Sequence, residues 1–181
     1  MNYCVSPQFA PGEQPPSASS PLFCRLQGPS PSDRLSSRLR LLAKLDLLES
    51  QPPVLAMEEA TQMVCQNLGA PVCMLSVADE QHEILKAATG LTQFGLMNPL
   101  SQSRQLALGD SFAPYILDSG QALLIDDIAD YPALASTLLA QYGVMAYAGV
   151  PLKSSCGHCI GVFAIMDFIP RRFTLQEKTF L

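Results

Sequence analysis

Residues 144–152 (VMAYAGVPL) and 159–167 (CIGVFAIMD) are two apolar runs separated only by the polar hexapeptide KSSCGH. Neither shows a helical period, and both are rich in β-branched and large apolar residues, so they read as strands joined by a turn. A hairpin of two apolar strands needs more sheet beside it and helices over it. The rest of the chain supplies both.

Residues 71–79 (PVCMLSVAD) and 82–90 (HEILKAATG), joined by the polar turn ADEQ, predict a second hairpin, and 122–127 (ALLIDD) predicts a further strand. Upstream, Leu35, Leu39, Leu42, Leu45 and Leu48 recur at three- and four-residue steps, with Arg34, Arg38, Arg40 and Lys44 mostly off that stripe. This predicts an amphipathic helix from Asp33, stopped by SQPP. A second helix is expected over Leu55–Leu68, capped by Gly69. Residues 91–109 read as an irregular stretch, yet they carry Phe94, Leu96, Met97 and Leu100, as expected of a loop that covers a pocket. A short helix capped by Asp110 or Ser111 is expected to run to Ser119, and a longer one over 131–143 (YPALASTLLAQYG). Thr174 and Glu177 form a capping box for a last helix, and the chain ending inside it leads to the expectation of a fragment of a longer protein. The expected class is α+β, an antiparallel sheet flanked by helices with the terminal helices on one side. Residues 1–31, rich in Pro and Ser, are expected to be a disordered arm, and 32–181 a single domain.

The net charge is −5 and no Lys/Arg run exceeds Arg171-Arg172, which argues against a nucleic-acid surface. No apolar run reaches the roughly 20 residues that span a bilayer, and the N-terminus lacks a secretory signature. A cytoplasmic, reducing location follows as an expectation, with the six cysteines as free thiols or as ligands. Cys65 and Cys73 sit among apolar residues and read as core, whereas Cys24 is a lone thiol in the arm. Cys156 and Cys159 form a C-x-x-C at a hairpin tip. Dithiol exchange needs such a motif at a helix N-terminus, and tetrahedral zinc needs two further ligands at matching spacing, so no firm metal site is expected. Asp126, Asp127, Asp130 and Asp167 read as turn and strand-end residues, leaving no catalytic constellation.

The segments LGAPVCMLSVAD, KAATGL, GQALLIDDIADYP, YGVMAYAGVPL, GHCIGVFAIMD and PRRFTLQEKTFL together resemble the GAF family of small-molecule-binding signalling domains, over about residues 35–181. FCRLQ, RLRLLAKLDLLES, TGLTQFGLMNPLSQSRQL and DSF are similar to the sensor region of cyanobacterial and plastid histidine kinases, the chloroplast sensor kinase group. That resemblance implies a two-component sensor reading photosynthetic electron transport, with an iron-sulfur cluster or a quinone, here plastoquinone, as its cofactor or ligand. It also implies a kinase domain after Leu181, response regulators as partners, and a homodimer. Cys24 matches the cluster-associated cysteine of that group, with Cys156 and Cys159 as weaker candidates, while Ala113 stands where many relatives carry a cysteine. Residues 132–143 hold no cysteine, so no covalent bilin is expected there. In such a fold Phe94, Met97, Phe112, Tyr115, Met145, Tyr147 and Phe163 would line a ligand pocket. The alternative reading is a ligand-free dimerisation and relay module, with the leucine stripe of the first helix in an intersubunit bundle.

Overall fold

The computed structural model describes residues 30–48, 54–96 and 98–181. Residues 1–29 of the expected arm, with Cys4 and Cys24, lie outside the described residues, as does Met97, while its last two residues, Ser30 and Pro31, begin a helix.

Helix α1 spans Pro31–Lys44 and begins before the leucine stripe. Its start is fixed by a capping box: Ser30 Oγ accepts from the Asp33 amide at 3.1 Å, and Asp33 Oδ2 accepts from the Ser30 amide at 3.3 Å. Leu42 is wholly buried against Val77 and Ile84. Arg38 departs from the expected polar face. It is only 7% exposed, and its Nε donates to the carbonyl of Ala78 at 3.1 Å. Helix α2, Leu55–Leu68, closes on Gly69 at φ 60°. Thr61 and Thr89 share a 2.8 Å hydroxyl contact that pins α2 to the sheet.

The sheet comprises β1 (Val72–Ala78), β2 (His82–Thr89), β3 (Gln105–Ala107), β4 (Leu123–Ile125), β5 (Ala146–Lys153) and β6 (Cys159–Asp167). Its order is β3-β2-β1-β6-β5-β4, with every neighbour antiparallel. The fold is therefore α+β, as expected. Gly161 allows β6 to press against β1, since a Cβ there would lie 2.0 Å from the carbonyl oxygen of Ser76. On one face, Val64 of α2 and Phe173, just before α6 (Leu175–Phe180), pack on Cys73, Ala148 and Ile165. The other face is covered by α3 (Pro99–Ser103), α4 (Ala113–Ser119) and α5 (Leu138–Gln141).

Two expectations need correction. Residues 91–109 are not a plain loop: they hold a 3-10 turn at Leu91–Phe94, then α3, and then edge strand β3, which pairs with β2 through Glu83 and Leu106. The single helix expected over 131–143 is broken into a 3-10 turn, Pro132–Leu134, and the one-turn α5. Thr137 makes the break. Its hydroxyl donates to the Leu134 carbonyl at 2.7 Å and accepts from the Ala140 amide at 3.4 Å, so it caps a new start instead of continuing the old helix.

Candidate functional site

Between the sheet and α3–α5 lies an interior chamber that is filled by packed apolar side chains. Ile116 and Leu117 of α4, Leu139 of α5, and Leu100 of α3 form its roof, and Met74, Ala164 and Met166 form its floor. Five of the expected pocket residues meet this chamber. Phe112 is fully buried and meets Tyr147 edge-on, ring centroids 4.9 Å apart. Phe94 stacks on Tyr142 at 5.1 Å and meets Phe168 edge-on at 5.8 Å, while Tyr115 and Met145 pack at the margin, half-buried. Phe163 does not belong with them, because it lies on the opposite face with Cys73 and Ile165. The face of a β6 residue was hidden because the strand is apolar on both sides, which erases the alternation that would assign it.

Tyr147 owes its position to a glycine two residues on. A Cβ at Gly149 would lie 2.6 Å from the Tyr147 hydroxyl and 2.6 Å from Cδ1 of Ile116, so only glycine lets the ring lie along β5 beneath α4. The chamber is also not wholly apolar. Glu83 is 3% exposed and accepts from Ser76 Oγ at 2.5 Å. Burial pushes its carboxyl above the ordinary value, and hydrogen bonds from the Ser111 and Ser76 hydroxyls pull it partly back. The same field reaches Tyr147, whose phenol is raised by burial and by the nearby Glu83. Ser111 links this group to α4, because its Oγ accepts the Ala113 amide at 2.8 Å. The sequence reading missed Glu83, although a signal was available. It stands two residues before Leu85, in phase with a residue that must face inward.

The cysteines fall into two groups on different parts of the sheet. Cys73 is buried and Cys65 half-buried at the α2–β1 junction, where their hydrogen bond and burial push the Cys73 thiol up. Cys156 is exposed at the β5–β6 tip and Cys159 half-buried at the start of β6, where burial raises its thiol. Cys73 pairs with Ile165, so six residues of β6, about 20 Å, separate it from Cys159. Among the described residues no group of three or more Cys, His, Asp or Glu is placed to hold a metal ion. The described cysteines therefore do not fit an iron-sulfur cluster by themselves. None of the described helices is long and apolar enough to cross a membrane.

No curated protein matches the sequence. Among solved structures, the chain is similar to the GAF domain of a phosphoenolpyruvate-protein phosphotransferase from Coxiella burnetii, at 19% identity and a TM-score of 0.56, covering 83% of this chain and 88% of that one. The corresponding domain from Acinetobacter matches at 16% identity and a TM-score of 0.55, covering 81% and 84%. A domain described as part of a two-component sensor histidine kinase protein from Sinorhizobium meliloti matches at 20% identity and a TM-score of 0.52, covering 70% and 84%. At these identities the likeness is one of fold. The family model for the GAF domain matches residues 53–181, nearly all of the sheet and its helices, and the chain belongs to the GAF domain family.

Proposed function

We propose that this regulatory domain is the cytoplasmic sensory unit of a two-component histidine-kinase protein, relaying to its own kinase domain and thence to response regulators. Its signal, in this reading, is a small carbonyl-bearing molecule of the quinone class taken up beside Glu83 and Tyr147. The observation that carries the reading is a carboxyl buried in an otherwise apolar chamber, with a phenol in its field. Burial shifts the carboxyl toward its protonated, donating form and the phenol is a second donor, so together they suit the carbonyl oxygens of a flat apolar ring. The kinase setting is supported by the fold likeness to the Sinorhizobium domain.

Calorimetric titration of the full chain with a short-chain benzoquinone tests the ligand. A saturable heat is expected, weakened about fivefold by Tyr147→Phe, which keeps the ring and removes one donor. No saturable heat with the folded protein would sink it. The iron-sulfur form of the proposal depends on Cys24, and iron analysis of anaerobically purified protein with and without Cys24→Ser is its check.

A second reading is favoured by the packing itself. Phe112 and Tyr147 already fill the chamber with each other. A ligand-free relay homodimer would need nothing more there, and would respond to shifts in its terminal helices.

A further inference from the structure

Away from the chamber, α1, the end of α4 and the β5–β6 hairpin enclose a cavity of about 230 Å³. Arg34 and Arg38 of α1, Lys153 at the end of β5, and His158 in the hairpin all line it. The two arginines stand one turn apart on α1 and therefore on one face. Among the described residues, none of the ion pairs involves Arg34, Arg38 or Lys153.

The donors are only partly used. Arg38 is 93% buried by its 7% exposure, and its guanidinium reaches the carbonyls of Ala78 at 3.1 Å and Asp79 at 3.5 Å. Arg34 gives Nη1 to the Asp118 carbonyl at 2.6 Å, while its buried Nε has no partner. A guanidinium offers five N–H groups, so donors remain on both. Burial lowers the pKa of Arg38, offset by the fields of Cys159, Asp118 and Asp79, yet no carboxylate closes on it as an ion pair. A buried cation held only by neutral carbonyls is incomplete.

The two sides of the arginine pair differ in charge. On the far side, a second cavity of about 410 Å³ carries Glu80 and Asp118, which repel an anion. The hairpin side carries Lys153 and His158 and no carboxylate. It is also smaller than the roughly 300–1,000 Å³ of a drug-sized site, so its occupant is compact.

We infer that this cleft is a binding site for a phosphoryl group, free or on a small metabolite, held by Arg34 and Arg38 and closed by Lys153 and His158. Bidentate guanidinium contacts suit the tetrahedral oxyanion, and the hairpin lysine acts as a point charge beside it. Such an anion would bridge α1, which leads into the domain, to the tip that joins β5 and β6. The cleft meets the apolar cluster through Leu117 and Cys159, but none of its four cationic side chains belongs to that cluster, so each proposal can fail without the other.

The test is calorimetric titration of the full chain with inorganic phosphate and, in a second arm, with glycerol phosphate, at fixed ionic strength against a chloride control. Saturable binding in at least one arm is expected, weakened about tenfold or more by Lys153→Gln combined with His158→Gln. Tighter binding of the ester identifies a metabolite, and tighter binding of inorganic phosphate identifies the free anion. Both substitutions lie at the rim and spare Arg34 and the buried Arg38, so the variant should fold. Absence of saturable heat in both arms, or affinity unchanged in the double variant, overturns the assignment.

Discussion

Glu83 shows how one residue sets a pH dependence. Its folded carboxyl lies above the ordinary value of 4.5, so the folded chain holds that proton more tightly than the unfolded one. The contribution of Glu83 is therefore complete below about pH 4.5 and is lost as pH rises through the folded value. Glu83→Gln keeps the size and the contact with Ser76 while removing the charge. The variant should be more stable than the parent by on the order of 1–3 kcal/mol at about pH 8, with the gap closing at about pH 4. Chemical denaturation at the two pH values measures it, and a variant destabilised at the higher pH would mean the charged form is stabilised by a partner. Residue by residue, the burial of Phe94 and Phe112 was legible because large apolar side chains in a loop and short helix have few other uses. Glu83 was passed over although it stands in phase with Leu85, since the β-bulge opposite Leu75 and Ser76 breaks the alternation of β2 only at Lys86 and makes the strand read as irregular. The phosphoryl cleft was hidden for another reason: more than a hundred residues separate Arg34 and Arg38 from Lys153 and His158, and only the fold closes that distance.

At the scale of elements, every strand but β3 and the first two helices were readable from period, and the last helix from its capping box. The box is present, and Thr174 Oγ1 accepts from the Glu177 amide at 3.2 Å. What sequence could not show is the hub that docks this helix. Arg171 reaches Asp167 at 3.3 Å, the carboxylate of Glu177, and the carbonyls of Leu68 and Gly69, so one guanidinium joins the end of β6, the end of α2 and α6. The Arg171 guanidinium is the largest cause holding the Glu177 carboxyl down, to about 2. A depressed carboxyl contributes stability that is complete above about pH 4.5 and is lost as pH falls through about 2. Protection of the α6 amides, taken relative to their intrinsic exchange rates at each pH, should therefore fall on acidification across that window. Arg171→Ala should lower it at neutral pH, by about tenfold or more, while core amides of β1 and β6 stay protected. Equal acceleration throughout the sheet would assign Arg171 to global stability instead of to the docking of α6.

For the molecule as a whole, the destination of α1 decides how copies of the chain could meet. The leucine stripe suggested an intersubunit bundle, but Leu42 is fully buried against Val77 and Ile84, with Leu47 and Leu48 packed beside it. Much of that stripe is spent within one domain. Leu42→Ala should then cost about 2–5 kcal/mol of stability. Removing residues 1–50 should lower the melting temperature by at least as much as Leu42→Ala, because it uncovers Val77 and Ile84 together. Leu45 of the stripe is left 52% exposed, and α2 exposes Leu55 at 71% and Met63 at 55%, two turns apart. A homodimer of this chain, where it forms, should therefore keep its mass in Leu42→Ala and lose it in Leu55→Ser combined with Met63→Ser. Light scattering of both variants, alongside their unfolding curves, separates the possibilities. If Leu42→Ala halves the mass while leaving the unfolding midpoint unmoved, α1 belongs to the interface after all, and its packing on β1 and β2 would not describe the assembled protein.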